Sequence, residues 1–437
     1  MNKTTWVVVS LFTSITILSA QSSYPILEWS PEYSARSAKF DRLLQVGETG
    51  FYTYRPATSS LLSGSRDEYF AYYNRSTLTE EWLLKNPKWE WEGKRVDYKS
   101  SVIIENVQYL FYESYDRQRD VRNLLVRTLD TLASLSEPML VETMDSRRRS
   151  QGEFAIKLSE DKSKIAIFTN PPFKIRGSEN FYVRIYDENL EEQWNADIEL
   201  TYRDRNFRIM DFDVTNSGDV FILSVYDSNS NISLISSRNL DYKLMRIQSG
   251  DHNKITEFDL GLTDVSVHSL GIQCDLKDNQ MSISGFYGKR NYYDMDGSLY
   301  LAVDQEKGEV TSSSLSSFSE EFVAQFNRYR LFKGRGIRKN FVFRQFMPRP
   351  DGGAYVIAED YDVRVVTTQN SRGATTTNYY YYYNDIIVLS IDKNGEVDWY
   401  AHIPKRQTSM NDGGYYLGYT FLMNEEGLHF VYNDHRK

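Results

Sequence analysis

The sequence predicts an all-β chain built from a repeated four-stranded unit, and three observations carry that prediction. First, an acidic or amide residue opens a tight turn at Asn74, Asp130, Asp187, Asp241, Asp304 and Asp392, and the first four gaps between them are 56, 57, 54 and 63 residues. A fixed period of this size marks a repeat architecture. Second, each unit carries an earlier turn, at 47–50, 105–106, 161–164, 216–219, 277–280, 351–353 and 424–427. In the first five units the earlier turn precedes the later one by 23 to 25 residues, whereas in the sixth the distance is 40. Third, the apolar runs are short, rich in Val, Ile, Phe and Tyr, and bounded by Asn-Ser-Gly, Asp-Gly-Gly and Lys-Asn-Gly. Those are strand and turn signals. No run of ten residues at helical spacing occurs after the first twenty residues.

In chain order, residues 1–20 read as a secretory signal: Lys3 supplies the positive start, residues 6–18 an apolar core, and Ser19-Ala20 a small-residue cleavage site. The apolar core falls short of the roughly 20 residues that a spanning helix needs. Export to the periplasm or the extracellular space is the expectation. Residues 21–38 contain PILEWS, a strand-like segment similar to TEEWLLK around Trp82. Units follow at about 39–92, 98–145, 152–203, 206–260, 265–318, 340–406 and 414–437, the last one incomplete. Each reads strand, turn, strand, longer loop, strand, turn, strand. In the third unit these strands are 154–158, 164–169, 181–186 and 192–200; in the fourth they are 210–214, 220–226, 232–238 and 244–247. Trp82, Trp194 and Trp399 recur at one repeat position, which points to packing between units.

Four short strands repeated near every 55 residues resemble a β-propeller, in which four-stranded blades ring a central channel. The resemblance spans about residues 39–437 and is architectural. It implies seven blades with the last incomplete; six blades or a β-sandwich array are the alternatives. Neither the Trp-Asp dipeptide pattern of WD40 repeats nor the aspartate box of sialidases is present. The chain is similar to poorly characterised exported bacterial propeller proteins, and no specific family is identified. The resemblance further implies a binding face made by the loops after second strands and the loops between blades. It also implies that an N-terminal strand completes the last blade, with 24–29 as the candidate. An open last blade would leave unpaired backbone groups and invite association.

Composition narrows the function. The 437 residues carry a formal charge of −9, which argues against a general nucleic-acid binder. The single cysteine, Cys274, excludes an intrachain disulfide and reads as a small buried apolar residue. Gly-x-Ser-x-Gly, His-Glu-x-x-His and Cys-x-x-Cys are absent, and the five histidines are scattered. No catalytic residue, metal ligand or cofactor is therefore assigned.

Two segments are assigned as candidate ligand-binding sites. One is the basic run Arg328, Arg330, Lys333, Arg335 and Arg338, continuing to Lys339 and Arg344, with no acid between Glu321 and Asp351. It reads either as a grip on an anionic partner or as a solvated linker between blades. Arg147, Arg148 and Arg149 form a weaker basic linker. The other is the insert at 367–384, with Tyr379, Tyr380, Tyr381, Tyr382 and Tyr383 unbroken. Consecutive strand residues alternate in face, so part of this run is expected at the surface, where it suits sugar stacking or protein contact. Acids and tyrosines also end second strands, as at Glu113, Asp116, Asp227, Asp360, Asp362 and Asp434. Those acids read as turn caps or as oxygen ligands around one channel mouth. The expected function is a non-enzymatic propeller that contacts a partner protein or glycan. A glycan hydrolase or lyase, and a structural subunit of the cell envelope, are the alternatives.

Overall fold

The computed structural model describes residues 6–10, 42–46, 49–55, 67–146, 152–172, 177–227, 240–262, 265–276, 279–288, 294–326, 336–337, 340–349, 351, 353–369, 373, 375–414, 417–424 and 427–433. Its strands fall into seven antiparallel sheets that succeed one another along the chain. The first sheet comprises Arg42–Val46, Gly50–Arg55, Tyr69–Asn74 and Glu80–Lys85. The second comprises Lys94–Ile104, Val107–Asp116, Val121–Leu129 and Met139–Asp145, with the two-residue strand Glu90–Trp91 paired to the first of these. The third has Glu153–Leu158, Lys164–Asn170, Ser178–Asp187 and Glu192–Arg203. The fourth has Phe207–Val214, Val220–Asp227, Leu240–Gln248 and Asp251–Asp259. The fifth has Ser266–Leu276, Gln280–Gly288, Gly297–Asp304 and Val310–Ser317. The sixth has Phe341–Pro348, Ala354–Gln369, Thr375–Ile391 and Val397–Ile403. The seventh has Thr420–Asn424 and Gly427–Asn433, with Trp6–Ser10 paired to the free side of the latter. A short α-helix, Glu320–Phe326, follows the last strand of the fifth sheet.

Sheets two to six carry an apolar layer on both faces, and this stacks the sheets as blades. In Val107–Asp116, Leu110 and Tyr112 pack with Tyr52, Phe70 and Tyr72 of the first blade. Alternate residues Tyr109 and Phe111 of the same strand pack with Phe154, Ile165 and Ile167 of the third. The period of two sends successive side chains to opposite neighbours. Equivalent apolar layers join blades three and four, four and five, five and six, and six and seven. First strands of successive blades lie against one another, as in the pairs from blades three and four, four and five, and five and six. The protein is therefore a β-propeller with seven blades, the last carrying three strands among the described residues. Cys274 is buried in the layer between blades four and five.

All seven early turns join first to second strands. Five of the six late turns also stand where the spacing puts them, each held by its opening residue. Asp130 Oδ1 accepts from the amides of Leu132 and Ser134, Asp187 Oδ1 from Asn189 and Glu191, and Asp392 Oδ1 from Asn394 and Glu396. The turn assigned to Asp241 is corrected. Asp241 lies within Leu240–Gln248, opposite Tyr226, and the chain reverses at Ser249 and Gly250. The strands that follow Val220–Asp227 in that sheet are accordingly Leu240–Gln248, which contains the expected 244–247, and Asp251–Asp259; the expected strand at 232–238 lies outside the described residues. The strand candidate at 24–29 lies outside the described residues.

The recurring tryptophans work between blades. Trp82 Nε1 donates to Thr131 O in blade two at 2.8 Å, and Trp194 Nε1 donates to Gly218 O in blade four at 3.1 Å. Trp399 packs in the layer between blades six and seven.

Candidate functional site

The tyrosine insert is the distal part of a long hairpin. Within blade six the second and third strands pair up to Glu359 and Ile386; after a register shift they pair again from Tyr361 opposite Tyr383 to Gln369 opposite Thr375. Gln407–Met410 adds a third strand along Tyr380, Tyr381, Tyr382 and Tyr383. The result is a three-stranded arm running on beyond the blade. Alternation puts Tyr379, Tyr381 and Tyr383 on one face and Tyr380 and Tyr382 on the other. Tyr379 is exposed, as are Val365 opposite it and the neighbouring Val366 and Met410. The other four tyrosines are half-buried. The Arg364 guanidinium lies over the Tyr382 ring at 5.0 Å and pairs with Asp362 at 2.8 Å.

At the base of the arm, Tyr383 meets Tyr361 edge-on with centroids 4.8 Å apart, and the Arg344 guanidinium lies 4.7 Å from the centre of Tyr361. Arg344 Nε donates to Glu359 Oε2 at 3.1 Å. Glu359 Oε1 accepts from Lys405 Nζ at 2.7 Å, and both of these side chains are at most 2% exposed. Lys405 Nζ also donates to Gln407 Oε1 and to Tyr383 O. Burial pulls the Lys405 ammonium below its ordinary value, opposed by Glu359. One buried carboxylate thus binds the arm to the inner strand of blade six.

That inner strand borders the central channel. A cavity of about 720 Å³ is lined by Lys157, Arg208, Asp211, His268, Ser269 and Arg344, among others. These residues come from the first strands of blades three, four, five and six, so the cavity lies along the inner strands of these four blades. A local irregularity recurs here. In blades one, two, four, five and six the pairing of first and second strands slips by one residue, at Leu44, Lys99, Met210, His268 and Arg344 respectively. A bulge of this kind bends the strand and re-aims a side chain. Met210, His268 and Arg344 all line the cavity. Gly271 lets the strands close up, because a Cβ there would lie 2.7 Å from the Phe343 ring.

Charge in the channel is partly neutralised. Lys157 Nζ donates to Asp211 Oδ1 at 2.7 Å, while Asp211 Oδ2 accepts from the Ile272 amide at 3.2 Å. Two residues on, Asp213 Oδ2 accepts from the Cys274 amide, and burial pushes the Asp213 carboxyl up to about 6. These two aspartates stitch the inner strands of blades four and five together. Burial holds His268 below its ordinary value, and its Nε2 lies 3.2 Å from Asp294 O.

Of the sequence-predicted residues, the arm tyrosines stand together as described. Arg328, Arg330, Lys333, Arg335 and Arg338 lie outside the described residues, as do Lys339, Asp434 and the run from Arg147 to Arg149. Arg344, the last member of the basic run, is a channel residue. The acids ending second strands belong to turns and ion pairs. Asp116 Oδ1 accepts from the amides of Gln118 and Arg119, Glu113 pairs with Lys99 at 2.6 Å, and Asp360 Oδ1 accepts from the Asn340 amide. Among the described residues no group of three or more His, Cys, Asp or Glu is placed to hold a metal ion. Sequence reading missed Lys157, Arg208, Asp211 and Ser269. The available signal was polar residues interrupting apolar first strands, as in FRIMDFDV at Phe207–Val214.

No protein-family model matches the chain, and no curated protein matches it. Among solved structures it is similar to prolyl oligopeptidase B from Galerina marginata, at 12% identity over 79% of this chain, with a TM-score of 0.36. The chain covers 39% of that enzyme's length. It is also similar to the WD40 domain of SCAP from fission yeast, at 8% identity over 87% of this chain and 82% of that one, with a TM-score of 0.34. Kluyveromyces lactis Hsv2p matches at 10% identity over 83% of this chain and 96% of that one, with a TM-score of 0.36. Among the described residues no helix is long and apolar enough to cross a membrane.

Proposed function

We propose that this protein is an exported, non-enzymatic interaction propeller, which contacts a partner protein or glycan through its loop-rich face and chiefly through the blade-six arm. The observation that carries this reading is the exposed set Val365, Val366, Tyr379 and Met410, at 55%, 42%, 45% and 52%. Apolar and aromatic side chains held on a paired ribbon lose little conformational freedom on binding. Tyrosine suits such a surface because it joins a large apolar ring to a hydroxyl. The signal-like character of residues 1–20 supports export; cleavage after Ala20 would remove Trp6–Ser10 from the seventh sheet, leaving it Thr420–Asn424 and Gly427–Asn433 among the described residues.

The test replaces residues 364–380 by Asn-Gly, which suits a two-residue hairpin between the facing Val363 and Tyr381. The base with Tyr361, Tyr383 and Arg344 is retained. The expected result is loss of binding on a glycan array and to purified envelope or extracellular proteins, with the circular dichroism spectrum unchanged. Binding equal to that of the intact protein removes the arm from the function.

A further inference from the structure

We infer that the central channel holds a binding site for a carboxylate-bearing sugar of the hexuronate class, separate from the arm. Several features of the channel point to such a ligand. At about 720 Å³ the cavity falls within the roughly 300–1,000 Å³ typical of small-molecule sites. Its charged lining consists of Lys157, Arg208 and Arg344 against the single carboxylate of Asp211. That carboxylate is engaged by Lys157 and by the amides of Phe212 and Ile272. Arg208 is exposed to the cavity and, among the described residues, pairs with no carboxylate.

Two further polar atoms are buried in this wall without a hydrogen-bond partner: Ser269 Oγ and Arg344 Nη2. Arg344 Nη2 lies 2.9 Å from Glu359 Oε2 but is not aligned to donate to it. Both atoms are closed to solvent, so a ligand meets them only after a side-chain shift; left unpaired they cost free energy that such a contact would recover. The two arginines stand on the inner strands of blades four and six, with Ser269 on blade five between them. A planar guanidinium matches a carboxylate through two parallel hydrogen bonds. Ser269 next to the bulged His268, and the Phe343 ring lodged against Gly271, add a hydroxyl partner and an apolar wall of the kind a sugar ring takes. His268 and Arg344, the bulged residues of blades five and six, both line the cavity.

The experiment is isothermal titration calorimetry on the intact protein with sodium D-glucuronate, a galacturonate trimer and D-glucose. Binding of the monomer and the trimer identifies a free or chain-terminal uronate; binding of the trimer alone identifies a site within a polymer, and either result supports the proposal. Arg208→Gln is expected to weaken that binding by about tenfold or more, the scale of one charge-assisted hydrogen bond, without moving the unfolding temperature. Raising the salt concentration is expected to weaken it as well. Ser269→Ala gives a second, smaller loss at a position that carries no ion pair. The arm-shortened protein keeps full uronate affinity, so failure of the arm reading and failure of the channel reading are distinguishable. No heat with either uronate, affinity for glucose equal to that for glucuronate, or uronate affinity unchanged in Arg208→Gln each overturns the proposal.

Discussion

Buried Glu179 and half-buried Asp204 form an acid pair where blade three gives way to blade four. Glu179 is 5% exposed; burial, and then the neighbouring Asp204 carboxylate to which it donates a hydrogen bond, push it up to about 8. The folded protein therefore holds this proton at neutral pH, whereas the unfolded chain releases it near 4.5. A raised value means that the stabilisation is complete below the unfolded value and is lost as pH rises towards the folded one. The wild type should thus lose stability relative to Glu179→Gln between about pH 4.5 and 8, at a slope approaching roughly 1.4 kcal/mol per pH unit. Denaturant midpoints of both proteins across that range test this, and parallel profiles would show that Glu179 is ionised at neutral pH. The same scale explains what could be read in advance. Asp130, Asp187 and Asp392 announce their turns because an aspartate caps amides two and four residues ahead of itself, a wholly local device. Ser269 and Arg208 gave no such sign, since their neighbours come from other blades.

The hairpin between the third and fourth strands of blade six closes on Gly395, with φ at +87°. A Cβ there would also stand 2.6 Å from the Tyr300 ring of blade five. Gly395→Ala should therefore cost at least about 1 kcal/mol from the backbone alone, with further loss from the displaced ring. A fall in the thermal midpoint checks this, and a midpoint equal to the wild type would mean the turn relaxes freely. Elements were legible where their signals are local and illegible where two strands must be compared. LDYKL at Asp241 resembles a late turn, yet the pairing of Val220–Asp227 runs without a shift from Ile247 to Leu240. The Ser249-Gly250 pair was the true turn signal. The bulges left no trace in the spacing, because a slip of one residue is a property of a register and not of a run. The length of the arm could be read from the sixth unit's broken spacing, but its third strand, Gln407–Met410, could not.

Over the whole molecule, apolar layers link blade one to blade seven in sequence, and the last blade takes Trp6–Ser10 beside Gly427–Asn433. The first and last parts of the chain thus share one sheet. Protein beginning at residue 21 lacks this strand and should melt earlier than the full chain, by roughly 1 °C for each kcal/mol lost in a chain of this length. Scanning calorimetry on the two forms decides it, and equal midpoints would mean that the strand adds nothing. The bulged inner strands have a wider consequence. A bulge takes one residue out of the hydrogen-bonding ladder, and across five blades that residue is Leu44, Lys99, Met210, His268 or Arg344, five different chemistries on one backbone feature. Three of them, Met210, His268 and Arg344, line the cavity, so a single backbone feature presents a thioether, an imidazole and a guanidinium to one space; exchanging Met210 or His268 alters that lining while the blades keep their registers.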